Sequence, residues 1–201
     1  FPTRRSSDLS ETFLRRFAVH KLNLPEMTER KAVPGMDGII TVCYEQNERL
    51  YSQYSFGFDK MKAIHNTPEP YFFKNVRKGV SNPVKVLGHH GHMTEEKNLN
   101  TLVAGFLIAA KNNPEIELLL AGDGTSMPAI KDIISSYNFK DKVKLTGKYK
   151  FDELQNILSN IDIGVIPYKL NDFNNYTIHN KVFDFMAAGK PILATATAPL
   201  H

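Results

Sequence analysis

The chain has 201 residues, 42% hydrophobic and 23% charged, the range of a soluble globular protein of one to two domains. A net charge of +4 and a pI near 9.0 come from interspersed charges with no long basic run, which argues against a nucleic-acid footprint. Cys43 is the single cysteine, so an internal disulfide framework is excluded and a reducing cytoplasm fits; no apolar run approaches the roughly 20 residues of a membrane-spanning helix.

Phe1 to Leu9 resembles translated adapter read-through at the end of an assembled fragment and is set aside from the fold. Glu11 to Leu24 predicts a basic helix, Gly38 to Val42 a strand, Tyr44 to Tyr54 a helix and Met61 to His65 a strand. Residues 69–82, with Pro70, Gly79 and Asn82, read as a linker. From Val84 onward strands and helices alternate. Val84 to Gly88 is a short strand, and Leu99, Leu102, Val103, Phe106, Leu107 and Ala110 follow helical spacing. Ile116 to Ala121 is an apolar strand before Gly122-Asp123-Gly124. A helix near Pro128 to Tyr137 follows, with Thr125 or Ser126 as its N-cap. Val143 to Thr146 is a strand, Phe151 to Ser159 an amphipathic helix, and Ile161 to Ile166 a strand ending at Pro167. A polar loop over Lys169 to Tyr176 leads to a last helix and a last strand from Ile192. Continuous apolar strands alternating with helices predict an α/β fold, a parallel sheet covered on both faces. Ligands of such sheets sit beyond the carboxyl ends of the strands, so the loops after Leu87, Ala121, Thr146 and Ile166 matter most. The chain stops at Ala198-Pro199-Leu200-His201 with no closing helices, and the expectation is a fragment cut at both ends.

The most informative segment runs from Thr177 to Pro191. Asn180 and Asp184 are four apart and share a helix face, Gly189 suits a left-handed helix stop, and Pro191 prevents continuation. The free amides of that helix start can hold a phosphate, and Asp184 a sugar hydroxyl one turn later. On spacing alone, an ordinary helix with its polar face in water accounts for the segment slightly better. His89, His90 and His92 invite a metal reading, but their spacing matches no common zinc site, and no metal is expected.

The segment Ile178-His179-Asn180-Lys181-Val182-Phe183-Asp184-Phe185-Met186-Ala187-Ala188-Gly189-Lys190-Pro191 resembles the P-N-K-x-F-E-Y-M-A-x-G-K-P signature of retaining glycosyltransferases of the GT-B fold, family four, and is most similar to those building bacterial surface polysaccharides. The resemblance extends in register through Gly91 and Lys97, Gly122-Asp123-Gly124, Gly147-Lys148 and Pro167-Tyr168. It implies the tail of an N-terminal Rossmann-like domain over residues 10–68 and most of a C-terminal donor-binding domain over residues 83–201. It further implies that Lys97, with His92 in the place of the usual arginine, neutralises the donor diphosphate as the catalytic pair. Gly91, Gly147, Lys148, Tyr168, Ile178, His179, Asn180, Lys181 and Asp184 then line the donor site. A histidine in place of arginine is only partly charged at neutral pH. Other departures are Tyr176 for a glutamate, His179 for a proline and Asp184 for the second glutamate.

The function so implied is sugar transfer from a nucleotide-diphosphate sugar to a glycan or lipid-linked acceptor, with no cofactor and no metal. The location implied is the cytoplasm, with contact at the inner face of the membrane through the missing domain left open. The fragment alone is expected to be inactive. The competing readings are a non-catalytic nucleotide-binding or regulatory α/β module, which as a receiver domain would need an absent acidic cluster, and a sugar-nucleotide epimerase or phosphorolytic enzyme on the same fold. A dehydrogenase is disfavoured because no strand precedes Gly-x-Gly-x-x-Gly.

Overall fold

The computed structural model describes residues 24–201, in two compact units that meet between Ile64 and His65. The adapter-like segment and, save for Leu24, the basic helix expected over Glu11 to Leu24 lie outside the described residues.

The described part of the first unit comprises α1 (Leu24–Ala32), β1 (Ile39–Thr41), α2 (Tyr44–Tyr54) and β2 (Met61–Ala63). β1 and β2 pair in parallel, Ile39 opposite Met61. Val33, Leu50 and Phe56 form a small core, with Ile39, Tyr54 and Met61 packed against it. Both strands are shorter than their apolar runs suggested.

The second unit carries β3 (Val86–His90), α3 (Leu99–Ala110), β4 (Glu117–Ala121), α4 (Met127–Ser135), β5 (Val143–Gly147), α5 (Leu154–Ser159), β6 (Ile163–Ile166), α6 (Asp172–Asn175), α7 (Asn180–Ala187) and β7 (Ile192–Ala194). Its five strands are all parallel, in the order β5-β4-β3-β6-β7. Successive β4 residues face opposite layers. Leu118 and Leu120 join Val103, Leu107 and Ile130 of α3 and α4. Leu119 and Ala121 join Leu158, Ile161, Val182 and Phe185 of the α5 and α7 side. The chain builds outward from β3 to β5, then returns to place β6 beside β3. The loops after β3 and β6 therefore diverge at a switch point, where such sheets open a crevice.

Three interactions tie residues 69–82 to this sheet. Phe73 and Val76 are core residues, 3% and 5% exposed. Asp162, fully buried at the foot of β6, accepts from Arg77 Nη2 (2.9 Å) and Ser81 N (2.8 Å) through one oxygen, and from Lys85 N and Val86 N (both 3.0 Å) through the other. Burial opposes its charge, yet the Arg77 bond and the three amides hold the carboxyl well below the usual carboxylate range. Lys190, also buried, donates from Nζ to Gly79 O (3.0 Å), so the lysine of the Gly189-Lys190-Pro191 step anchors the segment rather than a ligand.

Three expectations are corrected. β3 continues to His90, so His89 and His90 are strand residues and not part of the loop that follows. The side-chain cap expected at α4 is not made: Ser126 holds the N-cap position, but in a helical turn with no side-chain cap bond, its amide donating to Met93 O (3.0 Å). The polar loop over Lys169 to Tyr176 contains α6, capped by Asn171, whose side chain accepts from Asn174 N.

Candidate functional site at the carboxyl edge of the sheet

The site forms where the loop after β3, the loop after β6 and the start of α7 converge. α7 reaches this edge because Gly164 of β6 has no side chain: a Cβ there would stand 2.5 Å from the Phe185 ring. Phe185 therefore lies directly on the strand, and the helix start is held beside the switch point. Its first two amides, of Asn180 and Lys181, have no intrahelical acceptor, while Val182 N donates to His179 O (2.9 Å), and the helix start carries the positive end of the dipole. Gly189 ends the helix at φ +64°, as its position predicts.

Two lysines occupy the opening. Lys181, one residue into α7, extends across Gly91, and its Cε and Nζ would lie 2.8 Å from any Cβ added there. Lys97 ends a turn of 3-10 helix (Glu95–Lys97), and its Nζ stands 4.3 Å from the centre of the Tyr168 ring, a cation–π contact. Among the described residues, neither ammonium has a hydrogen-bonded or ion-paired oxygen. Burial, with Lys97 nearby, lowers Lys181 from 10.5 to about 8, against the pull of Asp184. Burial also lowers Lys97, against Glu96. Two half-buried cations at a helix start, with Lys97 opposing the charge of Lys181, are arranged to receive an anion.

Histidines surround the cations without adding charge. His179 is the N-cap residue of α7, its ring edge-on to Tyr168 (4.3 Å between centroids, 87°). Burial, then Lys97 and Lys181, lowers it to about 4. His89 donates from Nδ1 to Val165 O (2.7 Å), since a carbonyl only accepts, so Nδ1 carries the proton. Burial drops His89 and His90 to about 3 each, so both are neutral. Consecutive strand residues face opposite sides of the sheet, which keeps His89 and His90 from converging on one ion, and His92 lies exposed on the loop. Among the described residues no cluster of three metal-ligating side chains occurs.

Asp184, one turn along α7, sits deeper. Its Oδ2 is 3.5 Å from His90 Nε2, beyond ordinary hydrogen-bond length, and with His90 neutral this is a polar contact rather than an ion pair. Burial raises Asp184 to about 6, with Lys181 opposing. The loop after β5 closes this side: Tyr149 Oη lies 3.1 Å from His90 Nδ1, and burial together with Asp184 pushes the Tyr149 hydroxyl up to about 12.

The structure thus brings together Gly91, Lys97, Tyr168, His179, Lys181 and Asp184, with Gly147 (φ +72°) leading into the Tyr149 loop. Tyr168 is 1% exposed, so it serves as the floor beneath Lys97. Ile178 packs on the same core. Lys148 and His92 are exposed, and Asn180, exposed as well, accepts through Oδ1 from Asn66 Nδ2 (3.1 Å). Gly122 and Gly124 turn their Cβ positions toward a neighbouring loop. A Cβ on either would collide with the backbone of the loop after β3, 2.0 Å from Gly91 O and 2.2 Å from Met93 O, so they let two loops pack. Sequence reasoning missed His90, Tyr149 and Asn174. His90 and Tyr149 carry no spacing signal, whereas the Asn171-x-x-Asn174 cap spacing was readable.

A family profile described as "Glycosyl transferases group 1" matches residues 84–200, more than half of the chain. The chain belongs to the glycosyl transferases group 1 family. It is 25% identical over 149 residues to the uncharacterized glycosyltransferase YqgM of Bacillus subtilis, covering 73% of this chain and 40% of that protein. It is 26% identical over 178 residues to the mannosylfructose-phosphate synthase of Agrobacterium fabrum, covering 79% and 37%. Among solved structures it superposes on the pneumococcal O-GlcNAc transferase GtfA, in complex with UDP and GlcNAc (TM-score 0.68, 18% identity, 85% of this chain and 32% of that one). It also superposes on Anabaena HepE, in complex with UDP and glucose (TM-score 0.61, 14% identity, 81% and 45%). These likenesses establish the GT-B type of α/β fold. The chain spans about two fifths of the length of the curated relatives it matches. Among its described residues no helix is long and apolar enough to cross a membrane.

Proposed function

We propose that residues 83–201 are the donor-binding domain of a glycosyltransferase that uses a nucleotide-diphosphate sugar, and that residues 10–68 are the tail of the preceding Rossmann-like domain. The observation that carries this reading is the pair of half-buried ammonium groups, Lys97 and Lys181, at the start of α7, neither ion-paired with a carboxylate among the described residues. The diphosphate sits between them, on the free amides of α7. As the bond from the anomeric carbon to phosphate breaks, charge grows on the leaving diphosphate, and fixed cations stabilise it without a protein nucleophile. In this reading lysines rather than a metal ion carry that charge. Asp184, one turn deeper, accepts from the ribose hydroxyls, and the Gly147–Tyr149 loop meets the base. Configuration at the transferred hexose is retained, and the acceptor is a glycan or lipid-linked sugar of cell-surface polysaccharide synthesis, used at the cytoplasmic face of the membrane. The UDP bound to GtfA and to HepE supports a nucleotide donor.

Calorimetry of the 201-residue chain with UDP, GDP, ADP and their sugars tests the proposal. One nucleotide should bind, and Lys97→Ala should weaken it by roughly 10- to 100-fold, the worth of a charge-assisted contact. Asp184→Ala should weaken UDP more than pyrophosphate. No binding by the folded chain would refute the reading. The 201-residue chain, which spans about two fifths of the length of its curated relatives, should not transfer sugar by itself.

A further inference from the structure

The side chain of Asn174 is buried (1% exposed) and reaches the opening through His179. Its amide Nδ2 lies 2.7 Å from Lys169 O, and its Oδ1 lies 2.8 Å from His179 Nε2. The carbonyl of Lys169 can only accept, so Nδ2 faces it and Oδ1 must face His179. His179 Nε2 therefore carries the proton and donates, which fixes the tautomer of the ring. The backbone of Asn174 is itself held, its amide donating to Asn171 Oδ1 (2.9 Å). The ring so fixed has two contacts that matter. Through its own backbone it is the N-cap of α7, with Val182 N donating to His179 O (2.9 Å). Through its edge it packs on Tyr168, whose face carries Lys97.

We infer that Asn174 is a positioning residue that acts through His179 to set the spacing between the start of α7 and the ammonium of Lys97, and so the fit of the diphosphate. The inference rests on the diphosphate reading and assigns it a part that no motif of this chain marks. One buried amide orders two otherwise independent elements. The hydrogen bond aligns the imidazole, the imidazole holds the helix start on one side and the aromatic floor on the other, and that floor holds Lys97. Around His179 the titratable neighbours are Lys97 from the loop after β3, Tyr168 from the loop after β6, and Lys181 on α7 itself. Both lysines oppose a charge on the ring, so the latch works with neutral imidazole.

The test uses the 201-residue chain with nitrogen-15 NMR of the imidazoles and calorimetry with UDP and pyrophosphate. In the ligand-free wild type, His179 should be the Nε2–H tautomer and stay neutral at pH 7. Asn174→Ala should release the tautomer and weaken both UDP and pyrophosphate by roughly tenfold, the worth of one ordering hydrogen bond. Asn174→Asp keeps an acceptor opposite His179 and adds a charge. It should raise the His179 midpoint by a unit or more, and pyrophosphate affinity should then follow the His179 titration, which a merely structural asparagine would not produce. Should Asn174→Ala not fold, the wild-type tautomer and His179→Gln carry the test, since glutamine loses the edge contact with Tyr168 and should weaken pyrophosphate comparably. An Nδ1–H tautomer in the wild type, or wild-type affinity in Asn174→Ala or His179→Gln, overturns the latch. A wild-type chain that shows the Nε2–H tautomer but binds neither ligand overturns the diphosphate reading instead, and with it the purpose assigned to the latch.

Discussion

Replacing Asp162 by asparagine removes one charge from the foot of β6 while leaving the shape almost unchanged, so its effect can be worked bond by bond. The carboxylate serves two pairs of donors, Arg77 and Ser81 on one oxygen, Lys85 and Val86 on the other. An amide retains one acceptor oxygen. Its NH2 must then face the other pair, donor against donor. The cheaper choice keeps the oxygen on Lys85 and Val86, because the Arg77 side chain is 46% exposed and can return to water. Ser81 N is left without its partner, and the charge assistance of the remaining bonds is lost. At about 1–3 kcal/mol for an unsatisfied donor, with the weakened bonds added, the substitution should cost about 2–4 kcal/mol at pH 7. The pH dependence has a definite sign. The folded carboxyl titrates below the unfolded value of 3.8, so its stabilisation is complete above that value and declines as pH falls beneath it. The decline is about 1.4 kcal/mol per pH unit. Urea denaturation of wild type and Asp162→Asn at pH 7 and pH 3 measures both terms. An unchanged midpoint at pH 7, or the same difference at both pH values, would refute the assignment of Asp162 as the charged anchor of residues 77–86.

Gly122→Ala places a Cβ 2.0 Å from the backbone oxygen of Gly91 at φ +138°, where nothing can give way, so thermal denaturation should show a loss of more than about 2 kcal/mol. Gly91→Ala meets only the flexible end of Lys181 and should cost about 1–2 kcal/mol of strain, but by pushing that ammonium aside it should weaken pyrophosphate more than its stability loss explains; equal binding would show that Lys181 does not face the anion. Lys181 titrates near 8 in the free protein against 10.5 unfolded, so pyrophosphate affinity should fall as pH rises through 8, while the stability of the free protein gains from this group between 8 and 10.5; parallel trends would exclude Lys181 from the site.

The frame of this domain was legible because its strands are apolar on both faces. Leu118 to Ala121 could only be a doubly covered strand, and that alone dictates a parallel sheet with helices on each side. The start and stop of α7 were legible for a local reason: Gly189 at φ +64° and Pro191 leave the chain no helical continuation. What stayed hidden depends on where strands end and which loops meet. His89 and His90 read as loop residues because two imidazoles in a row oppose burial. The structure pays their desolvation by keeping both neutral, with His89 bonded to Val165 O. The same limit applies to Gly122 and Gly124. A pattern match puts them in register with the family's motifs, but only the 2.0 and 2.2 Å approaches to Gly91 O and Met93 O reveal that their smallness serves a neighbouring loop. The site follows the same rule. Lys97 and Lys181 are 84 positions apart in the sequence. Nothing in either neighbourhood says that their charges meet, and β6 lying beside β3 is what brings the two loops to one opening. Motifs therefore named the residues proposed to face a ligand, whereas the contacts of Asn174 become visible only through the hydrogen bonds that fix which end of an amide points where.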